Sequence, residues 1–317
     1  MVQLSQKVAL GKAHGKLILV GEHSVVYGKP AIALPFPLIE VKSFVEEIPE
    51  SIRISCDYYD GYLSTVPNKM KGIAACVVET LKVLTPHPKG LLIRLESTIP
   101  LGRGLGSSAA VAIAIVRSLF TYYKRELNQK VLSSLVNISE THAHGNPSGI
   151  DMAAASGETP IWFQKDREID QIQIGAPIHL VVADSGRVGD TLSAVSGVKE
   201  KYKTDQHKTN ASMEHLEEIT YTARTALSGG HLKILGHLLD LAQEELTSLG
   251  VSDDGINKLV HAARKAGALG AKLTGGGRGG CVIALAKNAS HAKSLAKAFL
   301  IAGASKTWNF SLGNKLE

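Results

Sequence analysis

The run Pro100-Leu-Gly-Arg-Gly-Leu-Gly-Ser-Ser-Ala-Ala110 constrains this chain more than any other stretch. Gly102, Gly104 and Gly106 lack a Cβ, so the backbone there can turn tightly and come close to a ligand. Ser107 and Ser108 suit a helix start, and the apolar residues from Val111 to Phe120 continue it. Such a loop presents N–H groups at the positive end of a helix dipole. That is an anion site, and phosphate is its usual occupant. The bland alternative is a glycine-rich turn ahead of a buried helix. A Walker loop is excluded, because no lysine follows Gly106, and the dinucleotide fingerprint fails because its third glycine falls one residue early.

A second cluster, Lys272-Leu-Thr-Gly-Gly-Gly-Arg-Gly-Gly280, formally fits a protein-kinase glycine loop through Gly275, Gly277, Gly280 and Val282. The chain ends too soon after Val282 for a protein-kinase catalytic loop. Directly after Gly280 comes Cys281-Val-Ile-Ala-Leu-Ala286, a short buried strand by pattern. The loop therefore joins two strands, and either closes over a ligand or is a tight turn.

The carboxylates sit elsewhere. Glu140, His142 and His144 lie near the end of an expected helix, and Asp151 comes after a break at Asn146-Pro-Ser-Gly149. Glu140 and His144, four apart, share a helical face, but further zinc ligands at the usual spacing are missing. A phosphate loop with two carboxylates is what a magnesium-dependent phosphoryl transferase needs: one to hold the metal, one to orient or deprotonate the attacking hydroxyl. Taken singly, Glu140 reads as a solvated helix-end carboxylate and Asp151 as a helix cap.

Composition narrows the classes. A chain of 317 residues with 44% hydrophobic content suggests two globular domains. No apolar run approaches the ~20 residues of a membrane span, and no signal core opens the chain, which points to a cytoplasmic protein. Cys56, Cys76 and Cys281 show no metal or disulfide spacing. The net charge of +6 is scattered, which suits anionic small substrates better than nucleic acid.

Strands are expected at 17–20, 31–34, 40–46, 52–57, 91–99, 178–183, about the second glycine loop, and at 307–310. Helices are expected at 70–84, 107–125, 129–144, 211–228, 231–248, 255–267 and 289–302. Strand runs succeeded by helices give an α+β architecture. The domain boundary falls near Gly175-Ala-Pro177, dividing the chain into 1–175 and 176–317.

A third segment, Ala13-His-Gly-Lys-Leu-Ile-Leu-Val-Gly-Glu-His-Ser-Val-Val-Tyr-Gly28, sets one lysine in a β-like run ending in Gly-Glu-His. With it the chain resembles the GHMP kinases, named for galactokinase, homoserine, mevalonate and phosphomevalonate kinases, over nearly its whole length. The motifs are Gly15-Lys16 to Gly21-Glu22-His23, Pro100 to Ser108, and Lys272 to Cys281. His144-Gly-Asn-Pro-Ser-Gly-Ile-Asp151, and the step from Glu140 to Asp151, point to the branch acting on mevalonate.

The resemblance implies a two-domain GHMP kinase fold: an N-terminal α/β domain of ribosomal protein S5 domain 2-like topology, carrying the ATP and metal site, and a ferredoxin-like C-terminal domain. It implies phosphorylation of the C5 hydroxyl of mevalonate, with ATP as donor and Mg²⁺ as cofactor; the alternatives are another small-molecule kinase of the family, such as one acting on phosphomevalonate, or a non-catalytic sensor that binds ATP and substrate. ATP would lie on Pro100, Leu101, Gly102, Arg103, Gly104, Leu105, Gly106, Ser107, Ser108 and Ala109. Ser108 and Glu140 would hold the metal. Asp151 would act on the hydroxyl with Lys16 beside it. Glu22, His23, Gly276 and Gly277 would line the substrate side with Lys16 and Asp151. Mevalonate and ATP are the expected partners, with neither nucleic acid nor membrane, and a homodimer is left open. Three features depart from the family: His14 for proline, Arg103 for alanine, and Gly276 with Arg278 in the late loop. Arg103 is expected to add a cation near the phosphates.

Overall fold

A computed structural model describes residues 8–145 and 147–313, with residues 143 and 144 described by backbone only. The described chain gathers into two compact units. One comprises residues 8–15, 39–100 and 106–157; the other comprises 16–38, 101–105 and 158–313. Strands β1 (Ala9–Val20) and β2 (Ala31–Glu47) each run through both.

In the first unit β3 (Arg53–Cys56), β4 (Tyr59–Tyr62) and β5 (Leu91–Ser97) join the C-terminal half of β2 in the order β4-β3-β5-β2, with β3 and β5 parallel. Val41, Ser43 and Val45 of β2 alternate inward, as a half-buried strand requires. Four helices complete the unit: α1 (Lys71–Leu84), α2 (Ser107–Tyr122), α3 (Gln129–His144) and α4 (Ile150–Ser156). The run Ala109 to Val116 of α2 is almost wholly buried, because α1, α3 and α4 all pack on this helix. Its one polar core residue, Ser118, donates to the Ile115 carbonyl at 2.9 Å and meets the Ser43 hydroxyl at 2.8 Å, so neither hydroxyl is stranded.

In the second unit β8 (Ile178–Asp184), β9 (Gly270–Thr274), β10 (Cys281–Ala286) and β11 (Lys306–Leu312) form an antiparallel sheet in the order β11-β8-β10-β9. In chain order that is fourth, first, third, second, the ferredoxin-like arrangement. Helices α8 (Asp254–Lys265) and α9 (Ala289–Ile301) cover it, α7 (Leu232–Ser248) packs on β9, and α6 (Gln206–Ser228) packs on α7. Strand β6 (Ile161–Phe163) pairs with the start of β2, and β7 (Asp170–Gln171) with β6.

Several elements differ from the sequence expectation. The strands expected at 31–34 and 40–46 are one, because Pro35 and Pro37 keep an extended φ and fall between the pairing with β6 and that with β5. Helix α5 (Thr191–Thr204) is additional; it buries only Ala194 and Val198, so it carries almost no apolar periodicity. Helix α4 is additional too; at seven residues it is too short to show a period. The break before it includes Asn146, which lies outside the described residues. Among the described residues no helix is long and apolar enough to cross a membrane.

Gly11 of β1 lies so close to α2 that a Cβ would stand 2.1 Å from the Ala114 carbonyl oxygen and 2.3 Å from the Ser118 nitrogen. Gly11→Val should lower the unfolding free energy by at least the ~1–3 kcal/mol typical of overpacking. Urea denaturation checks this, and wild-type stability would show that the strand can withdraw from the helix.

Candidate active site

The two glycine loops of the sequence meet in the second unit. Gly104 (φ +74) and Gly275 (φ +84) pack backbone against backbone: a Cβ on Gly275 would come 2.9 Å from the Gly104 Cα. The first loop is held at both ends, since the Gly189 N–H donates to the Gly102 carbonyl (2.7 Å) and the Lys16 N–H to that of Leu105 (2.9 Å). Gly277 serves the protein's own backbone, because a Cβ there would meet the Val251 carbonyl oxygen at 2.1 Å.

Lys16 is buried in β1, 2% exposed. Strand β1 ends at Val20 and the chain turns through Gly21 (φ +99). Glu22 is next, its side chain entirely enclosed and ion-paired with Lys272 of β9, which is equally enclosed. Lys272 also donates to the Leu273 carbonyl at 2.6 Å. Burial pushes the Glu22 carboxyl up and the Lys272 ammonium down from their ordinary values, each opposed by the partner's charge. Among the described residues Glu22 Oε2 has no hydrogen-bond partner.

His23 sits at φ 62, ψ −47, and the Ser24 N–H donates back to the Glu22 carbonyl at 2.7 Å. This is a γ-turn of the rare, strained hand. A non-glycine residue held there marks a segment over-determined by its surroundings, as functional turns often are. The ring explains the hold: Nε2 lies 2.9 Å from the Gly276 carbonyl oxygen. A carbonyl only accepts, so Nε2 carries the proton. Burial, with lesser help from the Arg278 and Lys272 charges, lowers the His23 pKa to about 4, against the pull of that hydrogen bond.

Arg103 does not present a spare cation. Its guanidinium turns back to the Asp184 carboxylate and the Gly186 carbonyl, so the charge expected near the phosphates is already matched.

In the first unit Gly106 (φ 79) precedes Ser107 and Ser108, which open α2 with Ala109. No side chain caps this helix start, and the buried Ser107 hydroxyl has no partner among the described residues. Glu140 lies on α3, 5% exposed, and α3 packs on α2. Asp151 is half-buried in the first turn of α4, which also packs on α2. Among the described residues no three His, Cys, Asp or Glu side chains gather as a metal cluster; the His144 side chain lies outside the described residues. Sequence reasoning missed Lys272 and Asp184 as participants. A lysine inside the apolar run Ala271-Lys-Leu-Thr274 was the available signal, since a strand that buries it must also bury an acid.

The model of the GHMP kinases N terminal domain matches residues 68–158, and that of the GHMP kinases C terminal domain matches 223–304. A mevalonate kinase of Thermococcus sibiricus is 32% identical over 317 residues, covering 93% of each chain. The chain belongs to the GHMP kinases. Among them it falls with the mevalonate kinases. The crystal structure of L. major mevalonate kinase in complex with R-mevalonate matches it with a TM-score of 0.83 at 25% identity, over 97% of each chain. Mevalonate kinase from methicillin-resistant Staphylococcus aureus matches at 31% identity and a TM-score of 0.71, over 97% of this chain and 100% of the other.

The lowered His23 pKa makes a pH prediction for this GHMP kinase. The unfolded chain takes up the proton first, so the contribution of His23 is complete above pH 6.5 and drains away down to about pH 4. The loss amounts to about 3 kcal/mol. His23→Gln should flatten the decline in a series of unfolding curves across that window. An unchanged decline would place the acid sensitivity in other groups.

Proposed function

We propose that this chain transfers the γ-phosphoryl group of ATP to the C5 hydroxyl of mevalonate, giving 5-phosphomevalonate and ADP. The observation that carries the reading is 32% identity to a mevalonate kinase over 93% of both chains. A glycine loop leading into an uncapped helix start supports it. The division into an N-terminal domain with the ATP and metal site, 1–175, and a ferredoxin-like C-terminal domain, 176–317, and a cytoplasmic setting belong to the same proposal.

The N–H groups at the start of α2, beside Ser107 and Ser108, bind the phosphate oxygens through the helix dipole. Ser108 and Glu140 fit Mg²⁺. Both donors are oxygens, as Mg²⁺ prefers, and the Glu140 carboxylate is already withdrawn from bulk water, so these two residues would hold the ion. When bound, the metal neutralises charge on the phosphates. Asp151 orients the C5 hydroxyl and accepts its proton at a carboxylate oxygen. Lys16 stabilises developing charge. His23 orients the substrate and Glu22, enclosed with Lys272, fixes the turn that carries it, with Gly276 and Gly277 shaping the wall behind the substrate.

Phosphoryl transfer passes through a loose transition state, so positioning and charge neutralisation carry most of the rate. A base in hydrogen-bond reach still contributes ~10²–10⁴-fold. Asp151→Asn should therefore cut turnover of R-mevalonate by at least about a hundredfold while ATP binding stays near wild type. Glu140→Gln should raise the Mg²⁺ concentration needed for half-maximal rate. If Asp151→Asn keeps more than about a tenth of wild-type turnover, Asp151 is a helix cap and not the base.

A further inference from the structure

Arg103 stands where the resembled family carries alanine, and its contacts give it a task. Its Nε lies 2.8 Å from Asp184 Oδ1, and its Nη2 donates to the Gly186 carbonyl at 3.1 Å. The Gly186 N–H donates to the same Asp184 oxygen at 2.8 Å, closing a small ring of contacts. The side chains are 15% and 7% exposed, so water screens this pair poorly.

Asp184 is a firm anchor. It ends β8, in register with Cys281 of β10 on one side and Lys306 of β11 on the other. Its carbonyl accepts from the Ser305 N–H (2.8 Å) and hydroxyl (3.2 Å). Around it the Ser185 N–H donates to Gly280 (3.0 Å) and the Gly280 N–H to Arg187 (2.9 Å), so the late glycine loop is tied to the same turn. Main-chain bonds hold the first loop at Gly102 and Leu105. Arg103 holds it in the middle.

We propose that Arg103 and Asp184 form a charge-neutral latch that sets the glycine loop in its anion-binding shape. Arg103 is then a positioning residue with two effects. It orders the loop before the nucleotide arrives, so less order has to be imposed on binding. It also cancels a nearly buried carboxylate beside a site that must accept a highly anionic ligand. Without Arg103, Asp184 repels the phosphates. The latch rests on the ATP reading above only for the identity of the anion.

The charge effect separates the latch from a merely structural contact. Arg103→Ala should weaken binding of Mg-ATP, measured by calorimetry, by about tenfold or more, and raise KM for ATP by a like factor. The turnover number should move less than about threefold, since the reacting groups are untouched. Adding Asp184→Asn removes the uncompensated charge, so the double variant should bind more tightly than Arg103→Ala alone. Amide hydrogen exchange at residues 102–105 should quicken in both, with or without nucleotide. If Arg103→Ala fails to fold, Arg103→Gln with and without Asp184→Asn carries the same comparison. Wild-type affinity and exchange in Arg103→Ala, or a double variant that binds no better than the single, would overturn the latch. A wild-type chain that binds no ATP would instead refute the proposed function, and the exchange measurement would still decide the latch.

Discussion

Gly104 and Gly275 touch through their backbones, and the arrangement of both glycine loops in the second unit depends on that approach. Either Cβ would intrude: one on Gly104 would stand 3.2 Å from the Gly275 Cα, and one on Gly275 at 2.9 Å from the Gly104 Cα. Both residues also take φ values that side chains avoid. The neighbouring glycines repeat the constraint, since a Cβ on Gly279 would stand 2.7 Å from the Val188 carbonyl oxygen and one on Gly280 3.0 Å from that of Arg103. The late loop is therefore a tight turn by the demands of its own chain, whatever it also does for a ligand. Its shape in turn sets the Gly276 carbonyl that receives His23 and the Gly280 carbonyl that receives Ser185.

Buried charge is the second organising fact. Glu22 and Lys272 are both fully enclosed, and removing either partner would strand the other, a loss typically of ~3–5 kcal/mol. Such a pair is weak evidence of net stability, since two ions had to leave water to form it. Its effect is to fix Glu22 and, one residue on, the strained turn at His23. Strain at that turn, a neutral histidine and a carboxylate oxygen without a partner among the described residues gather within two residues. A segment under those costs is arranged for contact with something other than itself.

Much of this was legible in the sequence. The glycine loops were readable because glycine spacing reports backbone demands directly. The long amphipathic helices were readable because burial on one face imposes a period; α7 and α9 sit within two residues of their expected bounds. Helix α5, with two buried residues, offered no period to read. The fusion of β2 across Pro35 and Pro37 was hidden because proline signals a break locally, while the change of partner strand that tolerates it is a long-range fact. Arg103 was misread for a similar reason. Its place in a phosphate-like loop suggested an available cation, and its partner lies 81 positions along the chain. Pairings such as Glu22 with Lys272 leave no local trace beyond a charged residue in an apolar run.

The GHMP kinase fold serves alcohols as different as galactose, homoserine and mevalonate, so the fold alone does not choose the substrate. The choice rests on the run from His144 to Asp151 and on whole-length identity to mevalonate kinases. The most direct measurement is ADP release by the purified chain with Mg-ATP and, in turn, R-mevalonate, phosphomevalonate, galactose and homoserine. Turnover on R-mevalonate, well above the other three, is the predicted result. Faster turnover on any of the others, or none on mevalonate from a chain that binds ATP, would contradict the account.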